Sequence, residues 1–114
     1  MQLTSHGSAH WWRQRLTAVA MVPLTLFFCV SFLKLQDASF VEIVEFYQNP
    51  LNTMVSVGFI IVAVYHAWLG VRVIIDDYIH SAALRIGLIV ANTMYFISLG
   101  MVGIFSIFRL AFYV

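Results

Sequence analysis

Three apolar stretches dominate the sequence and decide what it can fold into. They cover residues 16–35, 53–75 and about 84–108. Each supplies about the 20 residues that an α-helix needs to cross roughly 30 Å of hydrocarbon at 1.5 Å per residue. Only 10% of the residues are charged, against roughly 25% in soluble domains. The sequence therefore predicts an all-α membrane protein with three transmembrane helices in a single domain over residues 1–114.

The two connections between the stretches differ in character. In the first, Ser39 and Glu42 fit a capping box, and apolar residues then recur at helical spacing until Pro50. This pattern predicts a short helix at the membrane surface. The second connection, residues 76–83, is short and polar, which makes the second and third spans antiparallel neighbours.

Basic residues near the span ends indicate the orientation. Four share the end that carries the N-terminus: Arg13, Arg15, Arg72 and Arg85. Two lie near the other end: Lys34 and Arg109. Because basic residues are enriched on the cytoplasmic side of membrane proteins, we expect the N-terminus in the cytoplasm or the matrix. The net charge of +1 is too small to suggest a nucleic-acid partner.

His66 lies alone in the middle of the second span, where an unsatisfied polar group costs several kcal/mol. We expect none of the other histidines to reach its depth: His6 and His10 precede the first span, and His80 lies in the second connection. Gly70, one turn further on, leaves room for a broad, flat group beside the helix. The pattern favours an axial ligand of a haem iron, and if two histidines bind the iron, the second must come from another chain. The alternative is a buried histidine that hydrogen-bonds a neighbouring helix.

Asp77 and Tyr78 end the same span. Eleven residues turn a helix about 1100°, only about 20° past three full turns, and advance it about 16 Å, so His66 and Asp77 share a face. A phenol at the membrane surface can donate a hydrogen bond to a quinone carbonyl, and a neighbouring carboxylate can relay protons. The alternative is an interfacial tyrosine beside solvated acids. Asp76 is better interpreted as a solvated neighbour or as a partner of Arg72.

Several short segments resemble one known family. The run HAWLG at residues 66–70, the pair Asp77 and Tyr78, and ALR at residues 83–85 closely resemble the small hydrophobic membrane anchor of bacterial succinate dehydrogenase (complex II). The segment RLTA at residues 15–18 resembles the start of that anchor. Three spans in a chain of this length fit the family over nearly the whole sequence. The resemblance implies that residues 1–114 form one membrane-anchor domain, which is part of a heteromeric helical bundle.

The resemblance implies a membrane component of a succinate:quinone oxidoreductase in the bacterial inner (cytoplasmic) membrane or the mitochondrial inner membrane. Such a chain binds haem b and ubiquinone together with a second three-span anchor. It docks the iron-sulfur and flavoprotein subunits, and so serves the step of the tricarboxylic acid cycle that passes electrons from succinate to ubiquinone.

The resemblance also implies roles for four residues. Matched by position, His66 is the axial ligand of the haem iron and Arg15 lies near the haem propionates. Tyr78 is the hydrogen-bond donor to ubiquinone, and Asp77 is its acidic neighbour. The isolated chain would have no catalytic power, because the flavin and the iron-sulfur clusters belong to other chains. For Arg15, the alternative is that it serves only as an orientation signal.

Two other functions are compatible with the sequence. One is the anchor of a quinol-fumarate reductase, which runs the same parts in reverse. The other is a non-redox membrane assembly or transport protein, in which His66 is a proton relay or a packing residue. Haem that co-purifies with the chain distinguishes the redox anchors from the last class.

Overall fold

The fold consists of helices throughout the part of the chain that the computed structural model describes, which is residues 2–114, with side chains from residue 8. The helices are α1 (Gln2–Leu35), α2 (Phe40–Gln48), α3 (Pro50–Tyr78) and α4 (Ala82–Ala111). The predicted all-α class is confirmed.

Three of the helices are long and apolar enough to cross a membrane: Ser8–Leu35, Pro50–Tyr78 and Ala82–Ala111. The three predicted spans are confirmed, but each helix extends beyond its apolar stretch. Helical hydrogen bonding continues into the polar flanks, because the ends of a helix are set by capping groups and chain breakers rather than by hydropathy. This extension is largest in α1, and it brings additional polar residues onto the same helix as the first span.

Local side chains cap three helices. The Ser39 backbone N–H donates to Glu42 Oε2 at 2.7 Å, and the Glu42 N–H donates to Ser39 Oγ at 3.3 Å, so the predicted capping box and short helix are both present at α2. The hydrogen bond from the Ser39 backbone lowers the pKa of Glu42. Asn49 caps α3, which has proline in its first turn, and Ser81 caps α4.

α3 lies between α1 and α4 and packs against both, while α2 packs against α3 and α4. On the α1 side, the rings of Phe28 and Phe59 stack with centroids 4.9 Å apart. On the α4 side, Gly103 allows a close approach: a Cβ added there would lie 3.1 Å from Ile60 Cδ1. α3 is thus the central helix of the layer, and both neighbours run antiparallel to it.

The three long helices do not enclose a core of their own. Among the described side chains none is completely buried, and large apolar residues remain exposed along all three helices. Exposed apolar surface of this extent must be covered by lipid or by other protein. This is the surface expected of helices that cross a membrane.

Candidate functional site

His66 forms a hydrogen bond to the neighbouring helix α1. Its Nδ1 lies 2.9 Å from Thr17 Oγ1. The Thr17 hydroxyl also lies 2.7 Å from the Arg13 carbonyl oxygen and 3.1 Å from that of Gln14, one turn earlier in α1. Among the residues that the structure describes, no hydrogen bond is made to His66 Nε2. The histidine is therefore held through one ring nitrogen while the other is left for a further partner.

A cavity of about 550 Å³ opens beside His66, between α1 and α3. Five residues of α1 complete its lining: His10, Trp11, Gln14, Arg15 and Ala18. Its size is within the range of roughly 300–1,000 Å³ typical of small-molecule and cofactor pockets. The structure thus brings together two of the predicted site residues, His66 and Arg15, although they are 51 positions apart in the sequence.

The polar groups around this cavity are incompletely satisfied. His10 Nε2 and Gln14 Oε1 are buried and have no hydrogen-bond partner among the described residues. The Arg15 guanidinium lies 5.1 Å from the centroid of the Trp11 ring, in cation–π contact. Buried polar atoms without partners normally have a ligand, a water molecule or another chain to bind. The cavity therefore combines the Arg15 guanidinium, two imidazoles and the Gln14 amide in its lining.

Two expectations about the surroundings of His66 need correction. His10 was expected to lie too far away, but α1 continues through it as a helix and places it on the wall of the same cavity. Gly70 was expected to leave open space, but it faces α1: a Cβ added there would lie 3.7 Å from Gln14 Nε2. The space near His66 is the cavity beside α1. The side chain of His6 lies outside those that the structure describes.

Asp76 is held by two arginines at the membrane-surface end of α3. Arg85 donates to Asp76 Oδ1 from Nε at 3.0 Å and from a terminal nitrogen at 2.7 Å. Arg72 Nε lies 3.7 Å from Asp76 Oδ2, one turn away in α3. The interpretation of Asp76 as a partner of Arg72 is confirmed, and Arg85 is a second partner. This cluster ties the start of α4 to the end of α3.

Asp77 and Tyr78 are exposed at the last turn of α3, and Tyr78 retains 74% of its accessible surface. Among the described residues, Asp77 has no ion-pair partner, in contrast to Asp76. Tyr78 lies twelve residues, or about 18 Å along the helix axis, from His66. The structure therefore separates the four predicted residues into a cavity that contains His66 and Arg15 and an open surface that contains Asp77 and Tyr78.

Hydrogen bonds to α4 fix the rotation of α3 next to His66. The Trp68 indole N–H donates to Thr93 Oγ1 at 3.0 Å, and Asn92 Nδ2 donates to the Trp68 carbonyl oxygen at 3.3 Å. Thr17 bonds His66 from α1, so these contacts together hold the turn of α3 that contains His66 between α1 and α4. Thr17 and Gln14 were missed by reasoning from the sequence. The sequence shows both as polar residues near the start of the first span, but their placement beside His66 depends on the register between two distant helices.

Comparisons with known proteins identify the family. The model of the family described as succinate dehydrogenase/fumarate reductase transmembrane subunit matches residues 1–100. The chain belongs to this family. It is 34% identical to the succinate dehydrogenase hydrophobic membrane anchor subunit of Rickettsia bellii, over 78% of this chain and 71% of the relative. The anchor subunit of Paracoccus denitrificans is 26% identical over 73% of this chain and 64% of its own length.

A further relative is the succinate dehydrogenase membrane anchor subunit of Reclinomonas americana, which is 30% identical over 73% of this chain and 72% of its own length. No solved structure matches the chain. The resemblance found in the sequence is confirmed, and the relatives support a succinate dehydrogenase membrane anchor located in a membrane.

Proposed function

We propose that this chain, together with a second three-span anchor, binds haem b and ubiquinone and passes electrons from succinate to ubiquinone. In this proposal it docks the iron-sulfur and flavoprotein subunits to the membrane. Family membership carries the proposal, because the relatives are named as succinate dehydrogenase anchors. Those names also favour succinate oxidation, rather than fumarate reduction, as the direction of the reaction.

The residues of the α1–α3 cavity fit a haem. Haem needs a neutral imidazole for its iron, basic partners for its two carboxylates and an apolar wall for its ring. His66 supplies an imidazole, Arg15 supplies one basic partner and Ala18 supplies part of an apolar wall, and all three line the same cavity. A metal ion held by protein side chains alone would need three or four ligands, and no such cluster of His, Cys, Asp or Glu exists in the described part of the chain. A single histidine is sufficient for one axial position of a haem.

In the proposed site His66 would hold the iron through Nε2, and Arg15 would neutralise propionate charge. When bound, haem b supplies a carrier for single electrons within the membrane. Trp68 would keep the His66 turn fixed against α4, since its indole and carbonyl are both bonded there. In this proposal a second protein ligand would come from the partner anchor, although His10 also lines the cavity among the described residues.

For the quinone, Tyr78 would donate its phenolic hydrogen bond to a quinone carbonyl, and Asp77 would orient that phenol or relay protons. The support is that Asp77 is free of ion pairs within the described chain while the adjacent Asp76 is engaged by two arginines. Both proposed residues are exposed here, so the walls of the quinone site would come from other subunits. With the basic ends of α1, α3 and α4 in the cytoplasm or matrix, this site would face the docked iron-sulfur protein.

The proposal is tested by affinity purification of this chain from native membranes in mild detergent. We expect the purified assembly to contain a b-type haem, covalent or tightly bound flavin and succinate:quinone reductase activity. A chain that purifies with an intact membrane fold but without haem and without dehydrogenase subunits would contradict the proposal and favour a non-redox role.

A further inference from the structure

We propose that Thr17 is a positioning residue that fixes the tautomer of His66, with the proton on Nδ1 and the lone pair on Nε2. This inference rests on the haem site of the proposed function and adds a residue to it. The observation that carries it is the set of three contacts made by one hydroxyl group: to His66 Nδ1 at 2.9 Å and to the carbonyl oxygens of Arg13 and Gln14 at 2.7 and 3.1 Å.

The direction of these hydrogen bonds follows from what each group can do. A threonine hydroxyl has one proton to donate and lone pairs with which to accept, whereas a carbonyl oxygen only accepts. The hydroxyl proton of Thr17 is therefore directed to the carbonyl oxygens one turn back in α1, a common arrangement for threonine in helices. A contact of 2.9 Å with Nδ1 is then a hydrogen bond only if Nδ1 carries the proton and Thr17 Oγ1 accepts it.

This arrangement prepares His66 for a metal. A neutral imidazole with its proton on Nδ1 has an unprotonated Nε2, which is the form that binds iron. Histidines that bind metals commonly donate their other N–H to a nearby acceptor, which fixes the ring orientation and increases the basicity of the ligand. Thr17 provides such an acceptor from a different helix, so the packing of α1 against α3 also orients the ligand.

A consequence for the haem follows from this hydrogen bond. The Thr17 oxygen polarises the Nδ1–H bond, which makes the imidazole a stronger electron donor and would stabilise the ferric state. Removing the acceptor should therefore raise the midpoint potential of the haem. It should also lower the affinity for haem, by about 10- to 100-fold if Thr17 behaves like residues that hydrogen-bond the ligands of other metal sites.

The test compares variants of the full complex by redox titration and by the low-temperature electron paramagnetic resonance spectrum of the ferric haem. Thr17→Val keeps the shape of the side chain and removes the acceptor, while Thr17→Ser keeps the hydroxyl. Thr25→Val is the matched control, since it makes the same change two turns further along α1, at an exposed position away from His66. We expect a raised potential and an altered spectrum in Thr17→Val, and values close to wild type in the other two.

The inference is overturned if Thr17→Val has the wild-type potential and spectrum, or if Thr17→Ser is displaced as far as Thr17→Val. If Thr17→Val does not assemble, Thr17→Ala takes its place in the comparison with Thr17→Ser, because both side chains are smaller than threonine and only serine retains the acceptor. His66→Ala distinguishes a failure of the proposed haem site from a failure of the role assigned to Thr17. A normal haem in that variant would contradict the proposed haem site itself, whereas loss of haem there with an unchanged Thr17→Val would contradict only the role of Thr17.

Discussion

The adjacent acids at the end of α3 should respond to substitution in opposite ways. Asp76 is bound by Arg85 and Arg72, whereas Asp77 has no ion-pair partner in the described chain. We therefore expect Asp76→Asn to change stability and leave quinone reduction intact. Asp77→Asn should do the reverse, because it removes the carboxylate proposed to act beside Tyr78.

The magnitude for Asp76 follows from its geometry and exposure. The side chains of Arg85 and Asp76 are 45% and 38% exposed, and their closest N–O distance is 2.7 Å. Two charges about 4 Å apart attract by about 1 kcal/mol in water and about 4 kcal/mol near a protein surface, yet exposed pairs typically contribute only about 0.2–1 kcal/mol. We expect a loss of at most about 1 kcal/mol, which corresponds to about a five-fold faster heat inactivation at a fixed temperature.

For Asp77, a general acid or base contributes typically about 10²–10⁴-fold to a rate, and water can replace part of it at an exposed position. We therefore expect succinate:quinone reductase activity to fall by about 10- to 100-fold in Asp77→Asn, which is at or below the lower limit of that range. The assay measures this activity and succinate oxidation by a soluble acceptor on the same purified complex, together with the rate of heat inactivation. A selective loss of quinone reduction in Asp76→Asn, with Asp77→Asn unaffected, would refute the assignment of the two acids.

Two further substitutions test the quinone site and the packing of the helices. Tyr78→Phe should lower quinone reduction while sparing succinate oxidation by a soluble acceptor. The control Tyr95→Phe, at an exposed position of α4, should change neither activity. Equal loss of both activities in Tyr78→Phe would indicate an assembly defect. Gly103→Ala should be less stable in mixed detergent micelles than Gly87→Ala by about 1 kcal/mol or more, because its new Cβ lies 3.1 Å from Ile60 Cδ1 while that of Gly87→Ala meets nothing within 4 Å. Both changes gain helix propensity, so the difference in stability between the two variants reports the contact with Ile60. Adding Ile60→Val should restore the stability of Gly103→Ala. Equal stability of the two alanine variants would contradict the close packing.

The sequence was sufficient for features that depend on local chemistry. The three spans follow from the length of the apolar stretches, and α2 follows from the capping box of Ser39 and Glu42, whose groups are three residues apart. Family resemblance also lay in short segments around His66, and it is confirmed by the comparisons.

The contacts between helices could not be obtained in this way. The pairing of Thr17 with His66 depends on the register of α1 against α3 across 49 positions, which no local pattern encodes. The same holds for His10, which joins the cavity because α1 continues as a helix beyond its apolar stretch. The roles of His66, Arg15, Tyr78 and Asp77 stay predictions.

The most direct test of the shared haem site is the dithionite-reduced minus oxidised absorption spectrum of the purified complex, recorded for wild type, His66→Ala and His80→Ala. His80 is the matched control, because it is an exposed histidine in the connection between α3 and α4. We predict a b-type α-band in wild type and His80→Ala that is lost or markedly changed in His66→Ala. An assembled His66→Ala complex with the wild-type spectrum, or a wild-type complex without haem, would contradict the site proposed between α1 and α3.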